Sequence, residues 1–384
     1  MSDINITGGE KRTTNNLGVI KTSRLRSIDT LRGFDMFWIM GADSLIRIMA
    51  ENSQSSFWKA LAAQMEHPYW NGFTFYDLIF PLFMFLSGIS SPFSIDTQLR
   101  KGITKNQVLF KVVKRGLILI LLGMIYNNGG LLLKPLEDVR FPSVLGKIGA
   151  AYMFANIIYL YASRQGRVIW FWALLIGYWL MLSFTSAPGY PPGDLSEKGN
   201  FMSYFDRTFL PGKLSRGIHD TSGFLCTITG VATTLLGVIA GSYLKSSKLP
   251  PARKAYWFAV AGASLIILSF LWGWYFPINK NLWSSPFVLL TGGLSLLLFS
   301  LFYYVIDVKA VNKWTFFFSV IGMNSIFIYL SPKFIHYSYA AGGLTAWFSG
   351  LFGNYQNAVH LIFTIAVQWL VLYIMYKRKI FLKV

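Results

Sequence analysis

Histidine is the side chain that changes charge near neutral pH. A carboxylate that pairs with one ring nitrogen fixes the tautomer and raises the basicity of the other. The chain has four histidines, and one of them, His67, stands in Glu66-His67-Pro68-Tyr69-Trp70-Asn71-Gly72-Phe73-Thr74-Phe75-Tyr76-Asp77-Leu78-Ile79-Phe80-Pro81. The Pro, Gly and aromatic residues predict a loop held firmly before an apolar run. Asp77 lies just inside that run, placed to orient the imidazole. Trp70 and Asn71 are the neighbouring groups able to contact a substrate. His219, His336 and His360 border other loops and read as bystanders.

Other polar residues fall inside apolar surroundings. At 100° per residue, Asp29, Arg32, Asp35, Asp43 and Arg47 occupy a sector of roughly 120° of one helix. Lipid cannot solvate such a face, so it lines a cavity or pairs internally, Asp29 with Arg32 at i, i+3. Lys111, Lys114 and Arg115 share i, i+3, i+4 spacing and can meet an anionic cofactor or anchor a helix end. Lys147, in Val144-Leu145-Gly146-Lys147-Ile148-Gly149, is set for a carboxylate or a ligand. Asn324, in Gly322-Met323-Asn324-Ser325, suits an interhelical hydrogen bond or a pocket contact. Pro81 and Gly88 shape a helix, and the Gly pairs at 129–130, 292–293 and 342–343 fit close packing or turns. Cys226 is the single cysteine, which excludes an intramolecular disulfide. No HExxH, histidine pair or cysteine cluster supports metal catalysis.

These residues must be positioned by elements that cross a bilayer. Of the 384 residues, 54% are hydrophobic and only 13% charged, with a mean hydropathy of +0.46. A soluble enzyme carries about 25% charged residues. The chain therefore reads as an all-α polytopic membrane protein. About ten spans are predicted, near 28–49, 73–93, 108–127, 144–162, 168–187, 221–244, 255–276, 286–306, 314–334 and 358–376. The net charge of +19 reads as orientation, not nucleic-acid binding. With both termini inside, most Lys and Arg fall on the inner side, so the expectation is N-in and C-in. Residues 1–26 read as a cytoplasmic tail and 27–384 as one integral domain. The long segments 50–72, 128–143, 188–220 and 335–357 then face outward, the side expected for an acceptor or ligand.

Several segments together resemble the heparan-α-glucosaminide N-acetyltransferase family and its bacterial relatives. They are Arg24–Gly33, the His67–Pro81 stretch, Val144–Gly149, Pro277-Ile278-Asn279-Lys280-Asn281-Leu282-Trp283-Ser284 and Gly322–Ile326. The resemblance implies transmembrane acetylation, with cytosolic acetyl-CoA as donor, an amino sugar as acceptor on the far side, and no metal. It places the active histidine on His67 and its carboxylate partner on Asp77. It also implies a homodimer and, for a chain without the animal enzyme's outer domain, a bacterial inner membrane. Two positions depart from the animal pattern, which has Asn at Asp43 and Arg at Lys147.

The expected site is thus His67, Asp77 and Asp43 for catalysis, Lys111, Lys114, Arg115 and Lys147 for the donor, and Asn71, Trp70 and Asn324 for the acceptor. His67 can act as general base or as carrier of the acetyl group. A secondary transporter of a sugar or anionic solute suits the polar face of the first span equally well. An O-acetyltransferase of an envelope glycan keeps the chemistry and changes the acceptor.

Overall fold

The computed structural model describes residues 25–53, 55–130 and 134–382; the expected tail, 1–26, lies almost wholly outside them. The helices are α1 Arg26–Phe37, α2 Asp43–Asn52, α3 Ser56–Ala63, α4 Ile79–Arg100, α5 Lys105–Asn127, α6 Val144–Tyr161, α7 Arg164–Phe184, α8 Phe201–Phe209, α9 Leu225–Ser246, α10 Pro251–Gly273, α11 Ser285–Phe302, α12 Thr315–Met323, α13 Ser325–Leu330, α14 Tyr337–Thr345 and α15 Gln356–Lys377. The only β-structure among the described residues is an isolated bridge between Arg140 and Gly212.

Seven helical segments among the described residues are long and apolar enough to cross a membrane, and an eighth is formed if α12 and the segment Ser325–Lys333, bent by 74°, count as one. The protein is therefore a polytopic integral membrane protein. The first and third predicted spans are helical as well, but their charged residues set them apart from the apolar seven. The first span is also not one straight helix. A π-helical turn, Trp38–Ala42, joins α1 to α2, and Gly41 within it has φ 130°. A side chain is strained at that angle, so glycine permits the break. Beyond it the face carrying Asp43 and Arg47 no longer follows the simple helical phase.

α9 is the most buried span, while α7 and α10 present most of their surface outward. This agrees with their sequences: α9 is rich in Gly, Ala and Thr, whereas α7 and α10 carry exposed Trp170, Trp257, Ile267 and Phe270. In a bilayer, helices gain little from burying apolar surface against each other, so association depends on packing through small residues. Gly88 of α4 faces Gly237 of α9; a Cβ at Gly88 would lie 2.1 Å from the Thr234 carbonyl oxygen, and one at Gly237 would lie 2.1 Å from that of Phe85. Gly241 continues the line, its Cβ falling 2.4 Å from the Ile89 oxygen. Gly116 with Gly149 joins α5 to α6, Gly262 with Gly293 joins α10 to α11, and Gly33 with Gly322 joins α1 to α12.

Overpacking typically costs about 1–3 kcal/mol where side chains must shift, and here the obstacle is backbone. Gly88→Val is expected to lower the melting temperature in detergent by several degrees or to abolish folding. Gly177→Ala, in α7 with nothing within 4 Å of the added methyl, should leave it unchanged or raise it slightly. Equal effects at the two positions would refute glycine-mediated packing.

Candidate active site

The 66–78 segment forms the expected loop, and its hydrogen bonds explain its shape. Thr74 caps a short 3₁₀ turn, Phe75–Leu78, that leads into α4; its backbone N–H donates to Asp77 Oδ2 at 3.0 Å. Asp77 is fully buried, and its other oxygen, Oδ1, lies 2.6 Å from His67 Nδ1. One carboxylate thus caps the turn and orients the imidazole. His67 remains about 37% exposed, so the ring is held on one side and open on the other.

A third group completes the constellation. Lys280 Nζ lies 3.1 Å from Asp77 Oδ1 and 3.2 Å from both nitrogens of His67. Its loop is locally determined. Asn279 Oδ1 accepts from the Leu282 N–H at 2.8 Å, the Asn279 N–H donates to Ser284 Oγ at 3.1 Å, and Trp283 adopts φ 51°. Asn279 Nδ2 donates to Asn71 Oδ1 at 2.9 Å and the Gly72 N–H donates to the Ile278 carbonyl at 2.9 Å, which ties this loop to the His67 loop. Burial lowers the Lys280 ammonium below its ordinary value, while Asp77 opposes the shift. Lys280 was absent from the expected site. Its signal was its place within the Asn-Lys-Asn-Leu-Trp run.

His67, Asp77, Lys280 and Trp70 line a cavity of about 340 Å³, with Tyr76, Phe80, Trp283, Arg140, Arg216 and Ser215 among its other walls. Tyr76 stacks obliquely on His67, with ring centroids 5.3 Å apart. A second cavity, also about 340 Å³, is lined by Arg32, Arg115, Tyr152 and Ser87, Ser90, Ser91 and Ser94. The two share Phe83, Leu145, Ile148 and Ile326. They are therefore stacked end to end along α4 and α6 with an apolar partition between them. Along α4 the linings run from Ile79 to Ser94, about 22 Å at 1.5 Å per residue, most of a hydrocarbon core.

The remaining expected residues are distributed around these cavities. Asp43 lines neither; it pairs with Arg47, whose Nη1 donates to the Met65 carbonyl at 2.9 Å and whose guanidinium lies 6.0 Å from the ring centroid of Tyr76 in the first cavity wall. Asn71 braces the loop through Asn279. Of the basic trio only Arg115 faces the second cavity, stacked on Tyr152 at 4.6 Å, while Lys111 and Lys114 are exposed on other faces of α5. Lys147 also lines neither cavity. Leu145 and Ile148 take the cavity face of α6, so Lys147 turns toward α9. There its Nζ lies 3.6 Å from the Trp283 ring centroid and donates to the Thr221 carbonyl at 3.3 Å, supporting the cavity wall from behind. Asn324 lies beside the second cavity and bonds backbone at 380 and 382.

His219 is no solvated bystander. It is 1% exposed and stands edge-on to Trp70, with centroids 5.2 Å apart. Burial lowers its imidazole below the ordinary value, with Glu197 opposing. Beside it, Asp220 accepts from Arg140 Nε and Nη2 at 2.8 and 2.9 Å and from the Ser215 and Ser222 N–H groups. Among the described residues no group of three or more His, Cys, Asp and Glu is placed to hold a metal ion.

No family model matches the chain. It is 28% identical, over 94% of its length, to "Heparan-alpha-glucosaminide N-acetyltransferase" of Mus musculus, and 28% identical, over the same share, to the protein of that name from Homo sapiens. The chain is a distant homologue of those two proteins. It spans 61% and 60% of those relatives' lengths.

Asp206, in α8, offers a test of the electrostatics of the 188–220 segment. It is buried, takes the Asp220 N–H on Oδ2 at 3.0 Å and leaves Oδ1 without a hydrogen-bond partner. Burial pushes its carboxyl up to about 7. An acid raised in the folded state leaves stability full below its unfolded pKa of about 4, and that stability is lost as pH rises toward the folded value. Asp206→Asn should therefore melt higher than the parent at pH 8, and the gap should close as pH falls from 7 to 4. A gap independent of pH would overturn this reading.

Proposed function

We propose that this protein is a transmembrane acetyltransferase that moves an acetyl group from acetyl-CoA to an amino sugar on the opposite side of a bacterial cytoplasmic membrane. The observation that carries the reading is the pair of stacked cavities, one holding a His–Asp–Lys constellation and the other cationic and rich in hydroxyls. Kinship to proteins named as glucosaminide N-acetyltransferases supports the reaction class. With about ten spans, N-in and C-in, the second cavity opens to the cytosol and the first to the outside. Arg32, Arg115 and the serines are then the groups for the donor's phosphates and amides. The partition of Phe83, Leu145, Ile148 and Ile326 is the apolar passage for the donor's acyl arm.

In this reading the His67 Nδ1–H donates to Asp77, which leaves the Nε2 lone pair for the acceptor. The amine nitrogen attacks the thioester carbonyl and its proton passes to Nε2. The C–S bond then breaks, and the imidazolium returns the proton to the departing thiolate. Lys280 donates to Asp77 at rest and stands beside the carbonyl oxygen as it gains charge. An acetyl-imidazole intermediate is the two-step variant, in which Nε2 attacks first and expels the CoA thiolate, and the amine then displaces the imidazole and gives its proton to it.

Purified protein supplied with labelled acetyl-CoA and glucosamine should release CoA and form an alkali-stable amide. His67→Ala should lose about 10²–10⁴-fold in kcat, with partial recovery on adding imidazole, and Lys280→Ala should lose rate with little change in folding. Undiminished turnover in His67→Ala would remove the histidine from the mechanism. Uptake of solute without CoA release would favour the transporter, and an alkali-labile product would indicate O-acetylation.

A further inference from the structure

The second cavity is incomplete without residues that lie far from it in sequence. After α15 ends at Lys377, the Lys379 N–H donates to the Tyr376 carbonyl at 3.0 Å and the Ile380 N–H to the Met375 carbonyl at 2.9 Å. Lys379 itself is left-handed, at φ 56°. This double bond is a Schellman turn, which ends a helix and reverses the chain. Ile380, Phe381 and Leu382 therefore run back against the bundle.

Their landing point is the 74° break between α12 and α13. Asn324 occupies that break, 1% exposed, and uses both ends of its amide on the returning segment. Its Nδ2 donates to the Ile380 carbonyl at 3.1 Å, and its Oδ1 accepts from the Leu382 N–H at 2.9 Å. Between these bonds Phe381 lines the second cavity, and Leu382 does the same, together with Met323, Ser325, Arg32 and Arg115. Two residues beyond Asn324 along the chain is Ile326, part of the partition shared by both cavities.

We propose that Ile380–Leu382 is a strap, clasped by Asn324, that forms one wall of the donor cavity and slows the escape of an acyl-CoA bound there. This rests on the donor reading given above. The cavity keeps about 340 Å³ with the strap seated, so Phe381 and Leu382 wall the space and do not plug it. Entry and exit of a ligand as large as CoA require the strap to lift. Two bonds to the Asn324 side chain tie it to that helix break. Because the clasp sits at the helix break that carries Ile326, seating the strap also fixes the partition through which the acyl arm would pass.

The test uses the full chain in detergent, with CoA and acetyl-CoA as probes. Asn324→Ala removes the clasp from the helix side. Leu382→Pro removes the donating N–H from the strap side and leaves the buried break untouched. Each is expected to weaken CoA binding by about tenfold, chiefly through faster dissociation, and the double variant should be no worse than the weaker single one. In parallel, Phe381→Cys is labelled with a polar maleimide, Cys226 being buried. Labelling should be slow, slower still with CoA, and about tenfold faster when Asn324→Ala is added. Unchanged CoA affinity in both clasp variants would overturn the proposal. So would labelling of Phe381→Cys at one rate with and without Asn324→Ala. If the parent binds no CoA while the labelling difference persists, the donor reading falls and, with it, the strap's role in holding CoA.

Discussion

At Gly33, Gly88, Gly237 and Gly322 a methyl group would fall within about 2 Å of a carbonyl oxygen on the facing helix. Everything else in the bundle follows from helices that can approach this closely. Lipid tails solvate an apolar side chain as well as another helix does, so backbone proximity and dispersion must supply the association. Close contact at Gly88–Gly237 and Gly116–Gly149 fixes α4 against α9 and α5 against α6. The cavities then open on the sides of α4 and α6 where larger residues hold the helices apart. Gly33–Gly322 does the same for α1 and α12, placing Arg32 and the break at Asn324 against one cavity.

Asp77 is the second organising group, and it joins local and long-range structure. Its Oδ2 caps a turn three residues upstream, a purely local need. Its Oδ1 receives His67 from ten residues before and Lys280 from some two hundred after. A buried carboxylate without such partners would be expensive. Each bond that satisfies the charge also places a group of the site. Lys147 and Asp220 work one layer further out. The first supports Trp283 from behind, and the second holds Arg140 at the cavity wall while gathering the backbone of residues 215–222.

An apolar partition lies between the two cavities. Polar linings on either side are separated by Phe83, Leu145, Ile148 and Ile326, an apolar barrier to water and ions. Transfer of a group through such a barrier differs from transport of a whole solute, which would require the four residues to part.

Much of the site was legible in the sequence because it is local. The spacing of Thr74 and Asp77 is a capping pattern, and the Pro, Gly and aromatic residues around His67 announce a fixed loop. Membrane character, the helical class and the approximate positions of the spans follow from runs of apolar residues, since a bilayer demands them. What the sequence could not decide is which way a side chain turns once helices pack. Lys147 is one residue out of phase with Leu145 and Ile148, so it supports the wall where a ligand contact was expected. Lys111 and Lys114 share a helix with Arg115 yet miss the cavity that Arg115 reaches. Gly41 interrupts the periodicity of the first span, which carries Asp43 away from a shared polar face and onto Arg47. Lys280 meets His67 only because two loops, each closed by its own hydrogen bonds, are tied together through Asn71 and Asn279. Composition and spacing determine elements and their local caps. Only tertiary contact, set by backbone approach at glycines, decides which of the polar residues meet.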